Sequence, residues 1–546
     1  MDNKALANLL FPDVELSPDD IERKFPPRSL GEGACVTRIG PSPTGFVHLG
    51  NLFNAIIAER LAHQSGGVFY LRIEDTDNKR EVEGAVETII NAMAYFDVIF
   101  DEGATRDGDK GNYGPYRQRM RRDIYHVFAK QLVENGKAYP CFLTAEELEE
   151  IRKEQTENKE VVTGLFGKYA EKSRSLTFED IEERIKAGQP WVLRYKGEVT
   201  DKRFCIEDAI RGKLDMPRNI MDFVLLKSDG IPTYHFAHVI DDHLMRSTHV
   251  IRGEEWLSSL SMHIELFDVF GWEKPIYCHT STLQKMDGES KRKLSKRKDP
   301  ELALAYYQQV GFCKEAVWEF LLTVLNSNYE EWRIANPDAS YTEFPFSLKK
   351  MSISGALFDL DKLSDISKDV ICKMSPETVL ERLRQWCGQY DPEFSELINK
   401  YPERTLKALG VGKNSDKPRK DLINWKQTRG FISFYYDETF TAKDEMPSEI
   451  SEADRREFFK RYIDSYSHDD DSAAWFAKVK EIAESLGYAV KVKEYKKTPE
   501  LFKGSIVHVT NMLRIALTGM ANAPDIWEVS HVLGEELTLE RLKKWV

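Results

Sequence analysis

Cysteine is scarce and unpaired in this sequence: Cys35, Cys141, Cys205, Cys278, Cys313, Cys372 and Cys387 are seven in 546 residues, with no C-x-x-C pair. An odd, scattered set supports neither a disulfide framework nor a cysteine zinc site, and it fits reduced thiols in the cytoplasm. Long apolar runs are missing as well. No stretch approaches the roughly 18 residues that a membrane span needs, so no membrane partner is expected. The opening MDNKALANLLFPDVELSPDD has acids on both sides of its short apolar part and lacks the cationic segment of a secretory signal. Positive charge is also in deficit, with a net charge of -13. Taken alone that argues against a nucleic-acid partner, although the local distribution of charge decides the matter. One stretch runs against the total: KMDGESKRKLSKRK, 285 to 298.

What is present is enough chain for several domains, since a single core serves about 150 residues. Residues 34–39, ACVTRI, read as a buried strand, and from 51 the residues Leu52, Phe53, Ile56, Ile57 and Leu61 fall on one helical face until Gly66 and Gly67 stop it. VFYLRI, 68–73, reads as a second strand, followed by a helix with Val82, Val86, Ile89, Ile90 and Met93 on one side. Alternating strand and helix predict a doubly wound α/β sheet whose ligands sit beyond the carboxyl ends of its strands. From about 114 the pattern is irregular: a helix from Arg117 to Asn135, a charged segment, and a strand-like WVLRYK at 191–196. This reads as an insertion. DFVLLKSDGIPTYHF carries strand signals around a hairpin turn at Ser228, Asp229 and Gly230, the sheet resumes near 231, and THVIRG at 248–253 continues it. Beyond about 375 the periodicity is helical, with polar breaks at KNSDKPRKD and SYSHDDDS. There is no internal repeat, and residues 1–33 suggest no chemistry.

Two segments carry chemistry. In RIGPSPTGFVHLGN, 38–51, Pro41 and Pro43 hold turn geometry while Gly45 and Gly50 permit close backbone approach. A helix begins immediately after, and its unpaired N–H groups and positive dipole end favour phosphate, to which His48 is placed to donate. Alone, His48 is as easily a solvated loop histidine. In KLSKR, 293–297, the spacing of Lys293 and Lys296 lets a short loop aim both ammonium groups at one polyphosphate. Alone, that run is a solvated basic surface or an RNA-backbone patch.

Together, PSPTGFVHLGN and the distant KLSKR resemble the two nucleotide-binding signatures of class I aminoacyl-tRNA synthetases, and more narrowly those of bacterial-type glutamyl-tRNA synthetases. LRIEDTD (71–77), GPYRQ (114–118), VLLKSDGIPTYHFAHVIDDHLM (224–245) and VIRGEEW (250–256) match that family in order. The resemblance is strong from about 35 to 300, weakens between 325 and 375, and returns partly at LRIALTG, 513–519. It implies a multidomain chain: an N-terminal extension (1–33), an α/β Rossmann-type catalytic domain (34–113 and 236–283), an α+β acceptor-stem-binding insertion (114–235), a stem-contact region with the KLSKR loop (284–375), and a mostly α-helical anticodon-binding region (376–546). It implies ATP-dependent activation of L-glutamate to glutamyl-adenylate, with magnesium, and transfer to the terminal ribose 2'-hydroxyl of tRNA(Glu) by a cytoplasmic monomer.

The resemblance also implies roles. His48, Lys293 and Lys296 are the catalytic residues, and ATP lies against His48, Gly50, Asn51, Glu255 and Lys296. Arg38 meets the glutamate side-chain carboxylate with Arg252 a further cationic contact, Glu74 meets the ammonium, and Ser42 and Tyr234 supply hydroxyls. In isolation such charged residues are surface salt bridges and such a tyrosine is core packing. Glutaminyl enzymes typically have Glu-Pro-Asn where this chain has Ser42, Pro43 and Thr44, and charged donors buried against a neutral amide would be undercompensated. Asn51 stands where the signature usually has histidine, a departure that the glutamyl branch tolerates. YPCFLT keeps only Cys141 where some relatives have a cysteine pair, so no structural zinc is expected. FDLDKLSDISKDVI, 358–371, lacks the family's usual tryptophan and asparagine, so tRNA contacts there do not transfer. Three alternatives stand: a truncated relative that modifies a tRNA base, disfavoured by the long C-terminal part; a glutaminyl enzyme; and a catalytically dead RNA-binding paralogue, disfavoured by both intact nucleotide loops.

Overall fold

The computed structural model describes residues 2–77, 82–160, 164–413 and 418–546. The chain forms two compact units, one from 1–306 with 318–359 and the other from 307–317 with 360–546. The first unit begins with two short helices, α1 (Asn3–Leu10) and α2 (Pro18–Lys24), each started by an acidic or hydroxyl cap: Asp2 accepts from Lys4 N at 2.9 Å, and Ser17 and Asp20 form a reciprocal capping box ahead of Pro18. This N-terminal extension is tied down. Arg28 forks onto Glu102 with both distances at 2.9 Å, and Glu22 accepts from Arg246 at 2.7 Å and meets His243 at 2.6 Å.

The expected α/β sheet follows. Strand β1 (Val36–Ile39) pairs in parallel with β2 (Val68–Leu71), and β2 with β3 (Glu102–Ala104), which turns back through β4 (Asp109–Lys110). Between β1 and β2 runs α3 (Leu49–Gln64). It is buried on nearly every side, from Leu52 and Phe53 through Ile57 to Ala62, and so is a central helix where a single apolar face was expected. α4 (Ala85–Tyr95) starts later than the pattern suggested, after Gly84 at φ +75°; Val82 stays outside the helix, its N–H donating to Pro43 O at 3.0 Å, and is exposed.

The inserted segment holds α5 (Arg122–Glu134), β5 (Ala138–Cys141), α6 (Ala145–Glu157), α7 (Glu171–Arg174), α8 (Phe178–Lys186), β6 (Val192–Tyr195), the hairpin β7 (Arg203–Asp208) and β8 (Gly212–Pro217), and β9 (Val224–Leu226). β5, β6 and β9 form an antiparallel sheet. The helix expected from Arg117 opens as a tight 3-10 turn at Gln118–Arg121, because Gln118 and Arg121 point inward to Asp241. The turn at Ser228–Gly230 forms, but its second arm is a single bridge at Pro232 before α9 (Tyr234–Leu244) begins.

The parallel sheet then resumes with β10 (His249–Gly253), α10 (Leu260–Phe270) and β11 (Ile276–Thr280), β10 lying beside β1 through Thr248 N to Val36 O at 2.9 Å. β12 (Leu283–Asp287) and β13 (Ser290–Lys293) form a ribbon joined by β14 (Ala356–Leu357). The second unit is helical. Pro376, Pro392 and Pro402 each open a helix at its first turn, where a missing N–H costs nothing. Its core gathers Trp386, Trp425, Phe459, Trp475, Leu513 and Leu542. Residues 466–471 lie between helices as expected, and the other polar break falls partly on 414–417, outside the described residues. Among the described residues no helix is long and apolar enough to cross a membrane.

Candidate active site

The site lies in the first unit, beyond the carboxyl ends of β1, β2 and β10. At one end His48 is the N-cap of α3, in extended backbone geometry, and its N–H donates to Asn51 Oδ1 at 3.0 Å. Asn51 thus holds the loop-to-helix corner. The His48 ring lies over Gly50, where a methyl group would come within 3.0 Å of Nδ1. Residues 300–304 close behind: His48 bridges Ala303, and Leu304 N donates to Val47 O at 3.1 Å.

The basic loop is shaped from within. Asp299, almost fully buried, takes both Arg292 Nη atoms at 2.6 and 2.8 Å and Ser295 N at 2.8 Å, while Leu294 plugs inward. Lys293 and Lys296 are left exposed. Lys296 Nζ sits 3.9 Å from the centre of the Phe46 ring, and so lies against the signature loop itself. Burial pulls the His48 imidazole below its ordinary range; Lys296 adds to that, Glu255 opposes it and Lys293 reinforces it. Three other residues expected at the nucleotide, from two distant segments, are therefore within electrostatic reach of His48. Glu255 folds back over Gly253, where a methyl would lie 2.2 Å from Oε2.

The end where the amino acid is expected is built on charge. Arg38, at β1, is buried and spends Nε and Nη2 on Asp242 at 3.1 and 3.2 Å and Nη1 on Ile251 O at 3.3 Å. Asp242 also accepts from Arg72 Nη1 at 2.6 Å and faces His238 Nδ1 at 2.7 Å. Burial alone would raise the Asp242 carboxyl, but Arg38 and then Arg72 overcome it and hold it well below the usual carboxylate range. Glu74 accepts from Arg72 Nη2 at 2.9 Å and lies directly over Gly40. Burial raises its carboxyl, with Arg72 and Arg38 opposing. Two glycines, at 40 and 253, thus make room for two carboxylates.

Arg252 is held differently. Its Nε donates to His279 Nε2 at 2.9 Å and its Nη1 to His263 Nδ1 at 3.0 Å, while Nη2 is buried with no hydrogen-bond partner. Tyr234, half-buried, lies tilted 4.2 Å from the Trp256 ring and 5.8 Å from the His263 ring. Burial pushes its hydroxyl up and the neighbouring Arg252 opposes this. Ser42 is exposed on the loop, with its carbonyl accepting from Thr44 N at 2.8 Å.

Arg72, Asp242, His263 and His279 were not singled out in the sequence, and neither was Trp256. Arg72, Asp242 and Trp256 sat inside the matching segments as unremarked letters; the two histidines carried no signal, because only the fold brings residues 263 and 279 to Arg252. Among the described residues no group of three or more His, Cys, Asp or Glu is placed to hold a metal ion.

The model of the family described as tRNA synthetases class I (E and Q), catalytic domain, matches residues 34–365, and that of an anticodon binding domain matches 431–546. A glutamate-tRNA ligase of Acetivibrio thermocellus is 53% identical over 546 residues, covering 100% of both chains, and one of Clostridium perfringens is 48% identical over 552 residues with the same coverage. A solved glutamate tRNA ligase from Elizabethkingia meningosepticum, in complex with its amino acid, superposes with a TM-score of 0.76 at 29% identity over 94% of this chain and 99% of that one. The catalytic-domain match over 34–365, the anticodon-domain match over 431–546 and full-length relatives at 48–53% identity place this chain in the glutamyl-tRNA synthetase family of class I aminoacyl-tRNA synthetases.

Proposed function

We propose the following division of labour for the glutamylation of tRNA(Glu). Arg252, expected from the sequence as the further cationic contact, takes the side-chain carboxylate of glutamate in place of Arg38, and the single observation that carries this is its buried Nη2, left without a hydrogen-bond partner. Arg38, its charge met by Asp242, keeps two of its five N–H bonds for a second contact, the other three going to Asp242 and Ile251 O. Glu74 takes the substrate ammonium, with Ser42 and Tyr234 at the edge.

At the other end His48 donates to a phosphate oxygen over the start of α3, Gly50 lets the nucleotide approach, Asn51 holds the turn, and Glu255 faces the nucleoside. An oxygen of the glutamate α-carboxylate attacks the α-phosphorus, and the bond to pyrophosphate breaks. Lys293 and Lys296 stabilise the charge that develops on that leaving group. Magnesium, when bound with ATP, withdraws further charge from the phosphates. The tRNA ribose hydroxyl then attacks the adenylate carbonyl and AMP departs; no protein nucleophile is needed.

We assign the segment 114–235 to the acceptor stem and the helical part from 376 to the anticodon. We also read the protein as a cytoplasmic monomer; its free thiols fit a reducing compartment. The test is glutamate-dependent exchange of pyrophosphate into ATP, with and without tRNA(Glu) and with glutamine as control. Exchange with glutamate supports the reading. Exchange with glutamine alone refutes the role of Arg252, and no exchange under any condition favours an RNA-binding paralogue.

A further inference from the structure

Three buried arginines stand at the carboxyl end of the sheet, and two of them are electrically satisfied. Arg38 and Arg72 share Asp242, and Arg72 also pairs with Glu74. Arg252 pairs with no carboxylate among the described residues; two imidazoles hold it, at 2.9 and 3.0 Å. A guanidinium only donates, so the ring nitrogens that face it, His279 Nε2 and His263 Nδ1, must both be acceptors. Each ring then carries its proton on the far side. His279 Nδ1 donates to Asp208 Oδ2 at 2.7 Å, and Asp208 is itself fixed by Ile210 N at 3.0 Å and Arg211 N at 2.9 Å. His263 Nε2 donates to His235 Nδ1 at 3.0 Å. Both rings are fully buried, which favours their neutral form.

We propose that His263 and His279 are positioning residues for glutamate specificity: as neutral acceptors they lock the Arg252 guanidinium in place without cancelling its charge, leaving Nη2 for a carboxylate. A carboxylate in either place would orient the arginine equally well, but it would neutralise the pocket and erase the difference between an acid and its amide. This rests on the reading of Arg252 given above.

The test compares isosteric pairs in the full-length protein, by pyrophosphate exchange with tRNA present. Asparagine at 263 and glutamine at 279 keep a neutral oxygen where the accepting nitrogen stood; aspartate and glutamate put a carboxylate there. His263→Asp and His279→Glu should each raise the KM for glutamate about tenfold or more and narrow the preference over glutamine by a similar factor. The KM for ATP should stay close to that of the parent. His263→Asn and His279→Gln should stay within about threefold for glutamate. Equal losses in the amide and acid variants would reduce the histidines to packing and overturn the proposal, as would acid variants with an unchanged KM. Arg252→Met separates the two claims, since an unchanged KM for glutamate in that variant defeats the reading of Arg252 itself. Should the acid variants not fold, nitrogen NMR of histidine-labelled parent protein still decides. Protons on His263 Nε2 and His279 Nδ1 support the proposal, and the opposite tautomers or charged rings refute it.

Discussion

A single methyl group at Gly40 offers a sharp test of the amino-acid pocket. A Cβ there would stand 2.2 Å from Glu74 Oε1 and 2.6 Å from Cδ, where ordinary contact begins at 3.4 Å. The Gly40 backbone lies outside the left-handed region, so alanine is not strained by its φ. What yields is the Glu74 side chain, which must retreat by about 1 Å and so lose its 2.9 Å bond from Arg72. The fold should survive, because the clash falls on the end of a side chain and Arg72 keeps Asp242. The loss falls on the substrate ammonium. A charge-assisted hydrogen bond is worth about 1.5–3 kcal/mol, which corresponds to a rise in the KM for glutamate of about 10- to 150-fold. Steady-state pyrophosphate exchange with tRNA(Glu) measures this, with the KM for ATP as the internal control. A folded Gly40→Ala protein whose glutamate KM stays within about twofold of the parent would refute the placement of Glu74 at the ammonium.

Other outcomes follow from the same geometry. His48→Ala should slow adenylate formation by about 10- to 100-fold in single-turnover measurements while tRNA binding stays nearly intact; equal losses in both would refute its phosphate role. Lys296→Ala should raise the His48 pKa toward its ordinary value, since Lys296 is the largest charge pulling it down after burial, and histidine NMR titration reads the direction. Gly519→Ala should destabilise the helical unit by about 2 kcal/mol or more, because φ is +75° and the new Cβ would meet Thr441 O at 2.2 Å; thermal unfolding checks it. Acid should weaken the fold early. Burial pulls His235 down to about 4 and His238 down to about 3, so below pH 6.5 the unfolded chain binds more protons than the folded one. Stability is full well above pH 6.5 and falls as pH drops toward 4 and then 3, by about 8 kcal/mol at most from the two shifts together, as urea unfolding at stepped pH would show.

Local chemistry made much of this protein legible before any coordinates. The strand–helix alternation around residues 36–64, the turn residues of the 41–50 loop and the lysine spacing at 293–296 are short-range properties, and the structure keeps them close to where the chain wrote them. Boundaries were less secure where a side chain had long-range business. Gln118 and Arg121 turn inward to Asp241, more than a hundred residues away, and tighten the start of their helix; α3 is buried all round because sheet and loops enclose it, which no periodicity in its own residues announces.

The residue types of the pocket were decided by the sequence alone: arginines at the ends of strands, a carboxylate after β2, glycines where backbone and ligand must meet. Which arginine is free was decided only by tertiary structure. Arg38 and Arg252 look alike as letters, yet Asp242 neutralises one and two histidines from α10 and β11 hold the other at full charge. The physical reason is that a guanidinium is always charged, so its availability to a substrate depends entirely on the protonation chemistry of whatever the fold sets beside it.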